Sequence, residues 1–399
     1  MAKIKSGLAM AGAVTLTLTL AGTPSTATTH DKVKTPTLTA FASLPAATFV
    51  LGSEPSGAKA TGNTNGHAVP FADQPIQGFS GILDNGDGSY DVLSDNGYGN
   101  QANSGDFLLR IQRLAPAFAT GTVDVVGGIT LSDPDSKVSW PLTRADRVLT
   151  GSDFDVESIT RGWDGTYWIG DEFGPYLLHF DRGGRLLDAP IPLDGVIAPE
   201  SAARLGVPAT TNSSKGFEGL AATPDGRYLY GLLEGTVNGD IPGQLRFNEF
   251  DKRKKAYTGK RYVYQLGDPS LAIGDAIAVD ENRFLVIERD GGQGSTAVIK
   301  RIYLADKRDR NRDGLLDKTL VVDLMNIANP RRLGGFGTTF TFPFPTIEDV
   351  VILDENTIAV LNDNNFPFSS GRTAGVADNN EWITIDLPNS LHPDKRILK

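Results

Sequence analysis

The sequence contains no cysteine. That excludes disulfide staples, thiolate zinc sites and thiol catalysis, and leaves the core and bound metal to hold the chain. Histidine is scarce too: His30, His67, His179 and His392 are the full set. None has H-x-x-x-H or H-E-x-x-H spacing, which disfavours zinc chemistry. A Ser-His-Asp triad would need His67 or His179, and His179 lies in the alternating stretch 176–181, where a packed or surface role fits better. The nucleophile-elbow pattern G-x-S-x-G is missing, as is a Gly-rich phosphate loop with Lys ahead of a helix. Helical periodicity is sparse, with 198–205 the best short candidate. Positive charge is in deficit, 38 basic against 48 acidic residues, for a net −10. That argues against nucleic acid or an anionic membrane as partner.

What is present suits strands and turns: 45 glycines, 23 prolines and 40% hydrophobic residues in 399, enough for a sizeable core. Lys3 and Lys5 precede an apolar run over 8–21 and then Ser25-Thr26-Ala27. This reads as a secretory signal peptide cleaved after Ala27, too short and too threonine-rich for a membrane span. Its removal takes two lysines and leaves a charge of about −12. A disordered leader over 28–36 and one domain over 37–399 are expected, secreted and monomeric, with no membrane span in the mature form.

From residue 79 onward a pattern recurs: an apolar strand opened by an acidic or small residue, a turn, and a second apolar strand ending in a carboxylate. Asp-Gly and Asn in the turns supply the positive φ that tight hairpins need. The segments begin at Phe79, Val156, Phe217, Asp275 and Ile347. Hairpins repeating in this way predict an all-β fold, a β-propeller. Six blades is the count favoured, the sixth from the N-terminal strand and the strand around Trp382; five or seven remain open.

In such a fold the start of each first strand and the end of each second strand emerge on one face. Glu157, Glu218, Asp275 and Glu348 are expected to ring a channel mouth, with Asp95, Asp171, Glu234, Glu288 and Asp363 further out and Asp155 and Glu172 beside them. Within the hairpin 155–172, Glu157 and Asp171 are expected side by side, because antiparallel neighbours lie about 5 Å apart. So many carboxylates repel unless compensated. Calcium, which takes six to eight oxygens, is one answer. Arginines are another, from Arg110, Arg246, Arg289 and Arg301; protonation is the third. The plain alternative is that these acids cap turns and join blades. Asp309, Asn311, Asp313 and Asp317 form a separate D-x-[DN]-x-[DN]-G loop, read as structural calcium, although Leu320 stands where the usual Glu would be. The four tryptophans, Trp140, Trp163, Trp168 and Trp382, suit blade packing better than a sugar platform.

The stretches FSGIL…YDVLSDNG, FDVESIT…GTYWIGDEFG…HFDRGGRLL, KGFEGLAATPDGRYLYGLLE, GDAIAVDENRFLVIERDGG and IEDVVILDENTIAVLNDNNF span 78–366 in order. Together they resemble the phytase-like family, described as "esterase-like activity of phytase". The resemblance implies a secreted β-propeller and suggests ester or phosphate-ester hydrolysis. Ser80 and Asp275, where other units carry Glu, make the inner ring uneven.

The leading expectation is a calcium-dependent hydrolase of phosphate or carboxylic esters acting on a small molecule. Glu157, Asp171, Glu218, Glu288, Glu348 and Arg289 would form its catalytic centre, and Arg110, Arg246 and Arg301 would contact substrate. Metal would be held by Asp95, Asp155, Glu172, Glu234, Asp275, Asp363 and the 309–317 loop. A non-catalytic propeller binding a glycan, peptide or cell-surface ligand around structural calcium is the alternative, and a calcium-dependent lactonase a third reading.

Overall fold

The computed structural model describes residues 35–398; the expected signal peptide and most of the leader lie outside them. The described chain is nearly all β, with one α-helix, Pro199–Leu205. Proline stands in the first turn of that helix, and Gly206, at φ 67°, ends it in the left-handed region.

Three separate four-stranded sheets form in chain order, one starting at each of Val156, Phe217 and Ala272. Two further four-stranded units meet in a ten-stranded sheet. One consists of Phe79–Asp84, Tyr90–Ser94, Arg110–Ala117 and Thr122–Thr130. The other combines Asp349–Ile352, Thr357–Leu361 and Asn380–Asp386 with the early strand Thr37–Leu44. The Trp382 strand and the N-terminal strand therefore do not build a unit of their own. They pair with each other, antiparallel from Thr37↔Asp386 to Leu44↔Asn380, and complete the fifth unit. The two ends of the described chain are thus locked in one sheet.

The first strands of the five units pack against one another in cyclic order, each on the next and the fifth on the first. Small or hydrogen-bonding residues make the approach possible. Asp349 accepts the Gly81 N–H at 2.8 Å, Asp275 accepts the Val350 N–H at 3.1 Å, and Ser158 donates to the Phe217 carbonyl at 3.3 Å. A Cβ on Gly219 would meet Ala276 at 2.6 Å, and one on Gly81 would meet Ile159 at 2.9 Å, so both sites require glycine.

The core is divided among the seams. Leu93 and Ile159 join the first and second units, Trp168 and Phe217 the second and third, Leu232 and Phe284 the third and fourth. Ile287 and Val350 join the fourth and fifth, and Val92 and Trp382 close the ring. Trp168 and Trp382 are therefore packing residues. Trp382 is 1% exposed and meets the Tyr90 ring edge-on at 4.7 Å. Trp382→Ala is expected to cost about 3–5 kcal/mol, read as a fall in the urea midpoint, because it empties the closing seam.

Candidate functional site

Four of the five first strands carry a β-bulge near the start, and the bulge builds the site. In the second unit Val156 faces Asp171 and Ser158 faces Gly170, which leaves Glu157 unpaired and turned out of the ladder. Glu218 is the bulged residue of the third unit, between Phe217 and Gly219. Gly274 takes that place in the fourth unit, and Ser80 lies within the irregular stretch of the first. Glu348 immediately precedes the fifth inner strand, in the same register. The second strands add Asp95, Glu172 and Glu234, each just past the last paired residue, together with Arg289, which pairs with Ala272, and Asp363, two residues beyond Leu361.

Two cations meet these acids. Arg289 Nη2 lies 2.8 Å from Glu348, 3.4 Å from Glu234 and 3.5 Å from Glu218. Lys215 pairs with Glu234. Asp155 accepts from Asn96 at 2.6 Å and Ser214 at 3.0 Å, and Glu348 accepts the Ser80 hydroxyl at 3.0 Å. Lys215, Asn96 and Ser214 are the contributors the sequence reading missed; Lys215 lies three residues ahead of Glu218, in a segment with no local signal of its own.

Burial, first, and mutual repulsion, second, push Glu157, Glu172, Glu218 and Asp363 well above the usual carboxyl range. Asp95 is pushed up to about 8 by burial and then by Asp155 and Glu348. Glu348 is raised by burial, with Arg289 opposing the rise. Two triads are close enough to share a cation: Asp155, Glu157 and Glu172, and Glu172, Glu218 and Glu234, each with ligand oxygens within 4.8 Å of one another. Glu172 Oε1 and Glu218 Oε1 are buried without a hydrogen-bond partner. Orphaned, buried, all-oxygen donors of this kind fit a hard divalent cation such as calcium. A cleft of about 610 Å³ opens beside Lys215, Glu234 and Arg289.

The model of the phytase-like family, "esterase-like activity of phytase", matches residues 74–366. The chain belongs to this family. An uncharacterized secreted protein of Arthroderma benhamiae is 28% identical over 226 residues, covering 46% of this chain and 43% of the relative. The match thus spans less than half the length of that curated relative. Among solved structures, a luciferin-regenerating enzyme aligns over 87% of this chain and 94% of its own at 10% identity and TM-score 0.38. A β-1,3-galactosidase aligns over 84% and 60% at 9% identity and TM-score 0.44.

In this phytase-like chain several expected site residues lie outside the ring. Asp171 accepts the Asp155 and Gly174 N–H groups, both at 2.8 Å, and faces Val156 rather than Glu157 because the bulge shifts the register. Glu288 turns into the seam with the third unit, toward Tyr264 at 3.0 Å and the Gly267 N–H at 3.0 Å, and pairs with Lys318 of its own unit at 2.5 Å. Asp275 joins neighbouring first strands, and Gly274 holds the ring position instead. Arg110, Arg246 and Arg301 sit on third strands, beside Thr130, Asp240 and Asp323 respectively.

The 309–317 loop is a separate, exposed turn. Asp309 accepts the Asp313 and Gly314 N–H groups at 3.0 Å, Asp313 accepts that of Leu315 at 2.9 Å, and Asp317 that of Arg310 at 2.8 Å. Asn311 donates to Asp313 at 3.0 Å.

Proposed function

We propose that this chain is a secreted hydrolase of carboxylic or phosphate esters, with calcium held by Asp155, Glu157 and Glu172 at the acidic mouth of a five-bladed propeller. The cyclic packing of five first strands and the five seams between them support that blade count. Export rests on the apolar stretch behind Lys3 and Lys5, in line with the secreted relative and with the absence, among the described residues, of any helix long and apolar enough to cross a membrane.

The observation that carries the reading is the division of charge in the ring. The Glu172–Glu218–Glu234 triad already has Lys215 and Arg289 against it. The Asp155–Glu157–Glu172 triad has no Lys or Arg in ion-pair contact with Asp155 or Glu157 among the described residues, so the metal is most needed there. Bound there, calcium would neutralise substrate charge and polarise the ester oxygen. Lys215 and Arg289, at the cleft, would bind and orient the anionic part of the substrate. Glu218, its Oε1 free of hydrogen bonds and its affinity for protons raised, would take the proton from the attacking water. Burial of the carboxylates keeps bulk water from screening these charges.

The test is a panel of p-nitrophenyl phosphate, p-nitrophenyl acetate, phytate and a lactone, assayed with calcium-loaded and chelated protein alongside thermal unfolding. Turnover should require calcium and disappear in Glu157→Gln without a lower melting temperature for the metal-free protein. Turnover that survives complete chelation with the fold intact would sink the proposal. No turnover on any substrate, with stability that still depends on calcium, would favour a binding protein stapled by metal.

A further inference from the structure

At the opposite end of the same first strands lies a second cavity of about 850 Å³. Its floor takes an aliphatic side chain from every unit: Ile82, Ile159, Leu220, Ile277 and Val351. This volume lies within the range of small-molecule sites, and the apolar floor meets a charged rim of Asp84, Asp225 and the arginines Arg113, Arg161, Arg182 and Arg396. None of the acids of the ring lines it.

Two rim residues stand out. Trp163 is 84% exposed, unlike Trp168 and Trp382, which are buried in seams. It sits at the hairpin turn of the second unit, leaning over the cavity against the turn at Gly226. An indole left in water at the mouth of an apolar cavity gains from any flat or aliphatic ligand that covers it.

The second is Arg182. Its Nη2 donates to the Asp164 carbonyl at 2.8 Å, and no carboxylate lies within ion-pair distance of it among the described residues. The other rim arginines are engaged. Arg113 and Arg161 share Asp91, each at 2.8 Å, and Arg396 is held by Asp394 at 2.7 Å. The two acids in the lining are occupied as well. Asp84 accepts the Gly86 N–H at 2.7 Å and Asp225 accepts the Thr223 hydroxyl at 2.6 Å. A guanidinium carries five N–H donors, so Arg182 retains the capacity for a bidentate bond to an incoming carboxylate.

We propose that this far mouth binds a small organic anion with an apolar body, an arylalkyl or medium-chain carboxylate. Its body lies on the aliphatic floor and against Trp163, and its carboxylate meets Arg182. The proposal is independent of the chemistry at the acidic mouth.

The experiment is titration of the full chain with 4-phenylbutyrate, followed by calorimetry and by tryptophan emission, with 4-phenylbutanol as the neutral counterpart. Saturable binding of the acid, a blue shift of the emission, and binding of the alcohol weaker by roughly tenfold are expected, since the alcohol lacks the charge-assisted pair. Arg182→Gln should erase the preference for the acid, and Trp163→Ala should remove the emission change and weaken binding by about tenfold. Both side chains lie at the rim, and unchanged thermal unfolding of each variant would confirm an intact fold. No saturable binding up to the solubility limit, equal affinity for acid and alcohol, or undiminished binding in both variants would each overturn the proposal.

Discussion

Arg289→Met is expected to destabilise the protein by about 3–5 kcal/mol near neutral pH, because it leaves buried carboxylates with an uncompensated charge. The side chain is 11% exposed and its Nη2 lies within reach of Glu348, Glu234 and Glu218 at once. No other arginine of the described chain contacts this set. Once it is gone, Lys215 remains on Glu234, but Glu348 keeps only the Ser80 hydroxyl. Chemical unfolding of the variant across pH separates charge from packing. The loss should shrink as pH falls, because protonated Glu218 and Glu348 no longer need a cation. Arg289→Lys should recover part of the stability through its charge, though it cannot reach three carboxylates from one planar fork. A loss in Arg289→Met that is the same at all pH values would mean that the side chain acts by filling space.

The second large effect concerns ring acids that form no ion pair among the described residues. Asp95 has a folded-state value of about 8 against an ordinary 3.8, and Glu157, Glu172 and Asp363 shift in the same direction. A carboxyl raised on folding binds its proton more tightly in the folded chain. Its contribution is complete below the ordinary carboxyl range and is lost as pH rises through the folded value. The metal-free protein should therefore weaken steadily from about pH 4 to about pH 8, opposite to the common behaviour of ion-paired acids. Calcium should reverse this, because it binds the deprotonated ligands and releases their protons. At a concentration of about a hundred times its dissociation constant it would add about 2.7 kcal/mol.

Much of this architecture could be read from the residues, and the errors have one physical origin. The hairpins were legible because Asp-Gly and Asn turns announce themselves locally, as at Asp164-Gly165 and Asp225-Gly226. The short helix and the acidic mouth were legible for similar reasons. The bulges were not, since an extra residue in a strand leaves no compositional mark. A shift of one residue moves a side chain to the other face of a strand. That shift explains why Asp171 and Glu288 were assigned to the ring beside their true occupants Glu172 and Arg289, and why Asp275 was assigned where Gly274 stands. The pairing of the N-terminal strand was hidden for a different reason. Pairing of Thr37–Leu44 with Asn380–Asp386 joins distant parts of the chain, and no local signal chooses that partner over another. Lys215 was overlooked because it lies ahead of its strand, in a segment that reads as loop.

The central claim is that the buried Asp155–Glu157–Glu172 cluster is a divalent-cation site. Its most direct test is thermal unfolding of the wild-type chain and Glu172→Gln, calcium-loaded and chelated, at about pH 5 and about pH 8. The account predicts a clear calcium-dependent rise in the wild-type melting temperature at the higher pH, little rise at the lower, and a greatly reduced response in the variant. Equal melting temperatures for calcium-loaded and chelated wild-type protein at the higher pH would contradict it.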